Sequence, residues 1–315
     1  MSELVIEGED GWLFLAEGSN FSISQMTGEI DVGMRELHRW IKILRFRNSF
    51  FGDKYRTLIC PEKSAALPQF LPKSLSISSQ RPVKRLCNSV DNIIYPAESL
   101  RSSEFAERTY PKTDTHFSDI GAAIVSSEIL RSFGVDPHQS FSNIDYQETE
   151  ILGDLGIKLE DKPRSVKYFD RSSVSISEKD NGLRNRGRVT KYHNTEAAEA
   201  ERPTLLLFGD SFSGINVGKM LCNYFSTVHF IHSGSIDYGL VGKLKPDYVV
   251  SEYAERFLLN APVEALPLSS VVAEKLMMST YDDKMLEDFT GSFEEFSEYL
   301  TVEDQKMLQD LAEAV

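Results

Sequence analysis

Three side chains of this 315-residue chain have the types and spacing that acyl transfer needs. Ser211 follows Gly-Asp, and Asp114 stands two residues before His116. In an extended segment, residues i and i+2 point to the same side, so the Asp114 carboxylate is expected to reach the Nδ1–H of His116. That contact fixes the tautomer of the ring and leaves Nε2 free as a base. The pattern therefore favours a serine hydroxyl activated by a histidine.

The segment before Ser211 predicts a buried strand. Residues 204–208 are continuously apolar, follow a proline, stop at a glycine and are too short for a helix. Apolar residues near helical spacing follow Ser213. Ser211 is therefore expected on a strand-to-helix turn, where unpaired backbone N–H groups stabilise an anion. The alternative is that Ser211 only caps a helix.

A helix is also predicted to support the Asp-His pair. Ser118 is a good N-cap residue, apolar residues continue to position 130, and Gly134 ends the pattern. Such a helix would hold Asp114 and His116 on a rigid base. The alternative is that the two residues lie in an ordinary loop.

Taken together, the motifs at 209–211 and 114–116 resemble those of the SGNH (GDSL-type) hydrolases. They resemble more closely the SGNH-like domain of the AlgJ/AlgX family of alginate O-acetyltransferases, in which the Asp-His motif also precedes the serine. Three further stretches are similar to motifs of that group: residues 8–15 (GEDGWLFL), 60–64 (CPEKS) and 252–256 (EYAER).

The resemblance implies an α/β fold, namely a three-layer, SGNH-like (flavodoxin-like) fold built on a parallel sheet. It implies a serine-dependent O-acyltransferase, an O-acetyltransferase in particular, or an acetyl esterase that acts on the hydroxyl groups of a sugar or polysaccharide. Carried over by position, Ser211 is the nucleophile, His116 the base and Asp114 the residue that orients the base. No cofactor and no metal are implied, and the acyl donor is not identified.

Four further residues are candidates for substrate binding or for support of the site. Asp210 precedes the serine, and Lys63 follows a predicted strand at 55–60, at the strand end where open α/β sheets bind ligands. A solvated lysine is the alternative for Lys63. Glu252 and Arg256 are four residues apart, which predicts an ion pair on a helix that braces the serine turn.

The alternation of strand and helix patterns between residues 55 and 257 predicts a parallel sheet with helices on both faces. We expect residues 1–260 to form the catalytic domain. Residues 261–315 are acidic and predict two or three helices packed on that domain or on a partner subunit, which leaves self-association open. Residues 178–200 are polar and contain a basic run, which predicts a surface loop; the alternative is that the basic run rims the cleft and meets an acidic sugar.

Composition excludes several classes of partner. The formal net charge is −14 at pH 7, with a pI near 5.0, so neither nucleic acid nor anionic lipid is expected to bind. No apolar run is long enough to cross a membrane, and the three cysteines lack metal-ligand spacing. The N-terminus has no secretory signal, which predicts a cytoplasmic location for the chain as it stands and a periplasmic one if a leader has been removed.

Two other functional classes compete with an acyl-transfer enzyme. The first is a non-catalytic carbohydrate-binding or scaffold protein of polysaccharide biosynthesis on the same fold, because a fold alone does not establish chemistry. The second is a phosphate-handling enzyme, which would need a Walker lysine or a set of Mg²⁺-binding carboxylates that the sequence does not show.

Overall fold

The computed structural model describes residues 4–16, 18, 20–141, 144–171, 175–196, 202–278 and 283–314. The strands are β1 (Val5–Glu7), β2 (Leu13–Leu15), β3 (Tyr55–Cys60), β4 (Ile93–Ile94), β5 (Tyr146–Ile151), β6 (Ser165–Asp170), β7 (Ile176–Asp180), β8 (Val189–Asn194), β9 (Thr204–Gly209), β10 (Thr227–His232) and β11 (Tyr248–Ala254). The α-helices are α1 (Ser22–Thr27), α2 (Met34–Phe51), α3 (Lys63–Ala66), α4 (Pro82–Cys87), α5 (Ala97–Ser102), α6 (Asp119–Ser132), α7 (His138–Phe141), α8 (Gly218–Leu221), α9 (Tyr238–Leu244), α10 (Leu268–Met278), α11 (Asp283–Gly291) and α12 (Val302–Ala314).

The central sheet has seven strands in the order β4-β3-β11-β9-β10-β8-β7. The first five are parallel, whereas β8 and β7 pair antiparallel at one edge. The strand β9, which leads to Ser211, lies in the middle between β11 and β10. The predicted α/β fold with a mostly parallel sheet is therefore confirmed, and the antiparallel edge is a correction to it.

The two antiparallel strands β7 and β8 fall partly in the stretch that was predicted to be a surface loop. That prediction was wrong for β8, whose residues Thr190, Tyr192 and Asn194 are buried. The reason is that two of these three inward positions are polar, so the alternation that marks a strand is hidden. Asn194 Nδ2 donates to the carbonyl of Cys222 at 2.9 Å, which satisfies its amide inside the core.

Helices cover both faces of the sheet, because alternate residues of a strand point to opposite sides. On one face, Leu205 and Leu207 share a core with α6 and α8. On the other, Leu206 and Phe208 share a core with α9–α12. The result is three layers, with β9 buried from both sides.

The C-terminal helices α10–α12 belong to the second of these cores. Val272, Phe289 and Leu308 are buried in the same cluster as Ile231 of β10. The division into units at 1–260 and 261–315 stays a prediction. None of the helices in the described ranges combines the length and hydrophobicity required to cross a bilayer.

Candidate active site

The turn that carries Ser211 forms where β9 ends. Gly209 is the last strand residue, and Ser211 starts a helical segment that continues through a π-helical turn (Ser213–Val217) into α8. A Cβ atom at position 209 would stand 2.5 Å from Glu252 Oε2, so any larger residue there would displace the carboxyl group of Glu252. The predicted strand-to-helix turn is present.

Asp210 and Glu252 fix this turn from the inside. The backbone N–H of Asp210 donates to Glu252 Oε2 at 2.8 Å. The two carboxylate oxygens of Asp210 accept from the N–H groups of Phe212 (2.9 Å) and Ala254 (2.8 Å). Burial, followed by the charge of Asp210, raises the pKa of Glu252 well above its usual range. Both side chains contact backbone and support the turn.

The loop before α6 brings the histidine to the serine. His116 Nε2 lies 2.9 Å from Ser211 Oγ, and His116 Nδ1 lies 2.9 Å from Asp114 Oδ1. Ser118 caps α6 by accepting from the N–H of Gly121, as its position predicts. The structure thus brings together Asp114, His116 and Ser211, although ninety-five positions separate the last two.

Asp114 is held as a carboxylate. Its Oδ1 also accepts from the backbone N–H of His116 at 2.8 Å. Burial alone would raise the pKa of Asp114, but the hydrogen bonds and the charge of His116 outweigh burial and lower it to about 2. The side chains of Asp114 and His116 are each 14% exposed, so the pair is partly shielded from water.

A second aspartate, which the sequence did not assign to the site, supports this loop. Asp154 accepts from the N–H and the hydroxyl of Thr115 at 2.7 and 2.6 Å, and its own N–H donates to Asp114 Oδ2 at 3.3 Å. It follows Gly153, where φ is +71° and a Cβ atom would stand 2.1 Å from the carbonyl oxygen of Thr113. A Gly-Asp turn is the only sequence signal for this contact.

Asp114, His116 and Asp154 also form a group whose ligand atoms lie within 4.8 Å of one another, a spacing that suits a metal ion. However, all four carboxylate oxygens of the two aspartates already accept hydrogen bonds from the protein. A metal would have to displace those donors. We therefore interpret the group as a hydrogen-bonded support of His116.

Lys63 lies under the same loop. It is only 3% exposed, and its ammonium group donates to the carbonyl oxygens of Pro111 (3.1 Å), Lys112 (2.9 Å) and Asp114 (2.8 Å). The rings of Trp12 and Phe14 lie 5.7 and 5.6 Å from the same nitrogen. The alternative of a solvated lysine is therefore wrong, and in this structure the ammonium group is used to hold the backbone of the loop.

The burial of Lys63 should make the free energy of unfolding depend on pH. Burial lowers the pKa of Lys63 to about 7, against the opposing charges of Asp154 and Asp114. Because an unfolded lysine titrates near pH 10.4, the unfolded chain binds more protons between about pH 7 and pH 10. The free energy of unfolding of the wild type, relative to Lys63→Met, should therefore rise with pH in that window by up to roughly 1.4 kcal/mol per unit.

Urea unfolding of both proteins at pH 6, 7, 8 and 9 measures this difference. Other titrating groups are common to the two proteins, so their contributions largely cancel. Parallel stability profiles across the whole range would show that Lys63 does not titrate in the folded protein.

The prediction of an ion pair between Glu252 and Arg256 was wrong. Glu252 lies in β11, where four residues span roughly 13 Å, too far for that contact. Arg256 Nη1 instead binds Glu62 Oε1 at 2.9 Å, and its guanidinium lies 5.3 Å from the ring of Phe212. Arg256 therefore packs under the residue that follows Ser211.

Two groups near Ser211 are already engaged. The N–H of Gly214 donates to the carbonyl oxygen of Asp210 at 3.0 Å, and Asn216 Nδ2 donates to Asp119. Ser211 is the first residue of a helical segment, so its own N–H has no acceptor within the helix. It is thus the backbone donor best placed to meet a negative oxygen that develops on a group bound to Ser211 Oγ.

Comparison with known proteins bears on the fold. No protein-family model matches the chain, and no curated relative matches it. Among solved structures, a DHHW family protein from Eubacterium siraeum DSM 15702 matches with a TM-score of 0.59 and 12% identity, over 82% of this chain and 93% of that one. Bacillus cereus PatB1 matches with a TM-score of 0.57 and 14% identity, over 81% and 96%.

A second PatB1 structure, which carries a sulfonyl adduct, matches at 0.56 and 15%, over 81% of this chain and 97% of that one. The O-acetyltransferase domain of Pseudomonas putida AlgJ, at a TM-score of 0.47 and 15% identity, covers 91% of this chain and 99% of that domain, but adds no weight at that score. The comparison thus confirms the predicted α/β fold, which this chain shares with the DHHW family protein and with PatB1.

Proposed function

We propose that the protein is a serine-dependent acyl-transfer enzyme that moves an acyl group, through an acyl-enzyme, to a sugar or polysaccharide hydroxyl group or to water. The observation that carries the proposal is the position of one imidazole, with Nε2 at 2.9 Å from Ser211 Oγ and Nδ1 at 2.9 Å from Asp114 Oδ1. These are hydrogen-bond distances, and the roles follow from the order of the contacts.

In the first half of the reaction, Ser211 Oγ attacks the carbonyl carbon of the acyl donor while its proton passes to His116 Nε2. The negative charge of Asp114 stabilises the imidazolium that forms. The N–H of Ser211 faces the oxyanion, and the proton on His116 then leaves with the alcohol or thiol of the donor. In the second half, an acceptor hydroxyl group gives its proton to His116 and attacks the acyl carbon, the bond from that carbon to Ser211 Oγ breaks, and His116 returns the proton to Ser211 Oγ.

Three findings support this function over a non-catalytic scaffold. The three residues have the required contacts, the nucleophile turn is fixed by buried polar bonds, and Ser211 remains partly exposed to solvent. A scaffold needs none of these. A sugar as acceptor rests on the sequence resemblance alone, and self-association through α10–α12 stays a prediction.

Covalent trapping tests the proposal. Because PatB1 has been obtained with a sulfonyl adduct, phenylmethanesulfonyl fluoride is a suitable reagent for this chain, together with a fluorophosphonate. We expect one equivalent of either reagent on Ser211, located by peptide mass spectrometry, and no labelling of Ser211 in the His116→Ala variant. A wild-type protein that stays unlabelled under conditions that label a reference serine esterase would favour the scaffold.

A further inference from the structure

A cavity of about 250 Å³ opens at the carboxyl ends of the three central parallel strands. Open α/β sheets bind their ligands in the crevice beyond those ends. The end of β9 lines the cavity through Gly209 and Asp210, and Asp210 is joined directly to Ser211. The wall of the cavity therefore comes within one residue of Ser211, roughly 3.8 Å between Cα atoms.

The other walls are mainly aromatic and apolar. They include Trp40 of α2 together with Tyr253, Phe257 and Pro262 from β11 and the segment after it. The polar tips of two of these rings are occupied elsewhere, since Trp40 Nε1 donates to the carbonyl of Leu258 and the Tyr253 hydroxyl donates to that of Gly234. What these rings present to the cavity is hydrocarbon surface.

The ionisable groups that line the cavity carry little charge toward it. Burial lowers the pKa of His232 to about 4, so its ring is neutral at pH 7, and burial raises the pKa of Glu252 well above its usual range, which favours its uncharged form. The carboxylate of Asp210 points to the backbone N–H groups of Phe212 and Ala254. Arg186 is half exposed and paired with Glu274 at 2.6 Å. A ligand for this cavity is therefore uncharged and largely hydrocarbon.

We propose that this cavity holds the hydrocarbon part of the acyl group carried by Ser211, and that the enzyme prefers acyl chains longer than acetyl. The inference rests on the proposed acyl-transfer function. An acetyl group offers one methyl and leaves most of the space unfilled. Each additional methylene that is buried favours binding by roughly fourfold.

The covalent chemistry is unchanged by the length of the chain. The Ser211 Oγ–acyl carbon bond forms, the bond from that carbon to the donor oxygen or sulfur breaks, and the proton of Ser211 leaves with the donor by way of His116. Only the alkyl part of the acyl group enters the cavity. Chain length should therefore act through binding in the ground state and transition state alike.

The experiment measures kcat/KM for the p-nitrophenyl esters of acetate, butyrate, hexanoate and octanoate. For the wild type we expect kcat/KM to rise by roughly tenfold or more from acetate to hexanoate. A chain-length profile that is flat, or that falls from acetate onward, while acetate turnover depends on Ser211, would overturn the cavity assignment and leave the proposed function intact. Absence of Ser211-dependent turnover with every ester would instead remove the proposed function and, with it, the cavity's role.

A pair of glycine variants then locates the effect. A Cβ atom at Gly234 would stand 3.4 Å from a ring carbon of Tyr253 and 3.8 Å from Pro262 Cβ, which are ordinary contact distances. The side chain introduced by Gly234→Val should therefore fill part of the cavity. We expect it to lower the ratio of hexanoate to acetate kcat/KM by at least tenfold, and Gly234→Ala to lower it less. Gly242 lies in α9 with no atom near its Cβ position, so Gly242→Val is the matched control with an unchanged ratio. An unchanged ratio in folded Gly234→Val would also overturn the proposal.

Discussion

Replacement of Ser211 by alanine should reduce hydrolysis of p-nitrophenyl acetate by roughly 10⁴-fold or more. The hydroxyl group that His116 Nε2 contacts at 2.9 Å would be absent, so no acyl-enzyme can form. The fold should not change, because Ser211 is only partly buried and its turn is held by Asp210 and Glu252. Circular dichroism and the melting temperature measure that second expectation.

Ser213 offers a matched control two residues further on. Its hydroxyl group is fully buried and faces Glu252, not His116, so Ser213→Ala removes the same atom without touching the histidine. We expect Ser213→Ala to keep a rate within about tenfold of the wild type. If the Ser211 and Ser213 variants lost activity equally, or if neither lost it, Ser211 would not be the nucleophile.

The second large effect is expected for Asp114→Asn, with a rate loss of roughly 10⁴-fold. Asp114 Oδ1 accepts from both the backbone N–H and Nδ1 of His116, at 2.8 and 2.9 Å. An asparagine oxygen at the Oδ1 position is neutral and stabilises the imidazolium less, whereas an asparagine NH2 group there selects the tautomer whose Nε2 already carries a proton. Such a ring cannot accept the proton of Ser211.

Asp154→Asn makes the same chemical change one step away and serves as the comparison. Asp154 contacts Thr115 rather than the ring, and its Oδ2 lies 4.0 Å from His116 Nδ1. We expect a loss of no more than about 100-fold, in line with groups that orient a functional ligand indirectly. Steady-state rates at pH 7 decide the matter, and equal losses in the two variants would mean that Asp114 and Asp154 share the orienting role.

The pKa of Asp114 adds a pH test of the same variant. Because its folded-state pKa, about 2, is below the unfolded value near 3.9, the carboxylate stabilises the fold above about pH 4, and this contribution is lost as the pH falls toward 2. The wild type should therefore lose its stability advantage over Asp114→Asn between pH 4 and pH 2. Acid unfolding followed by circular dichroism measures this loss.

The local parts of the site could be predicted from the sequence. Residues 204–208 form β9 as their apolar run indicates, β3 occupies Tyr55–Cys60, and Ser118 caps α6. The Asp114–His116 contact follows from a spacing of two residues. In each case the signal and the structure involve the same few neighbouring residues, so propensity and periodicity were sufficient.

The contacts that could not be predicted join distant segments. Lys63 reaches carbonyl groups about fifty positions away, Arg256 binds Glu62, and Asp154 supports Thr115. Nothing in the local sequence distinguishes a lysine that donates hydrogen bonds to backbone carbonyl groups from a lysine in solvent. The strand β8 was missed for a different reason, because two of its inward positions carry Thr190 and Asn194 instead of hydrophobic residues.

The position of β11 has a consequence for synthesis of the protein on the ribosome. This strand is the last of the sheet to be translated, yet it lies between β3 and β9 and pairs with both. Until residues 248–254 emerge, a nascent chain holds two incomplete half-sheets whose open edges are rich in hydrophobic residues and prone to pair with other chains. The hydrogen bond from the N–H of Ala254 to the Asp210 carboxylate also cannot form before β11 is made. A chain released early is therefore expected to be both inactive and prone to aggregate.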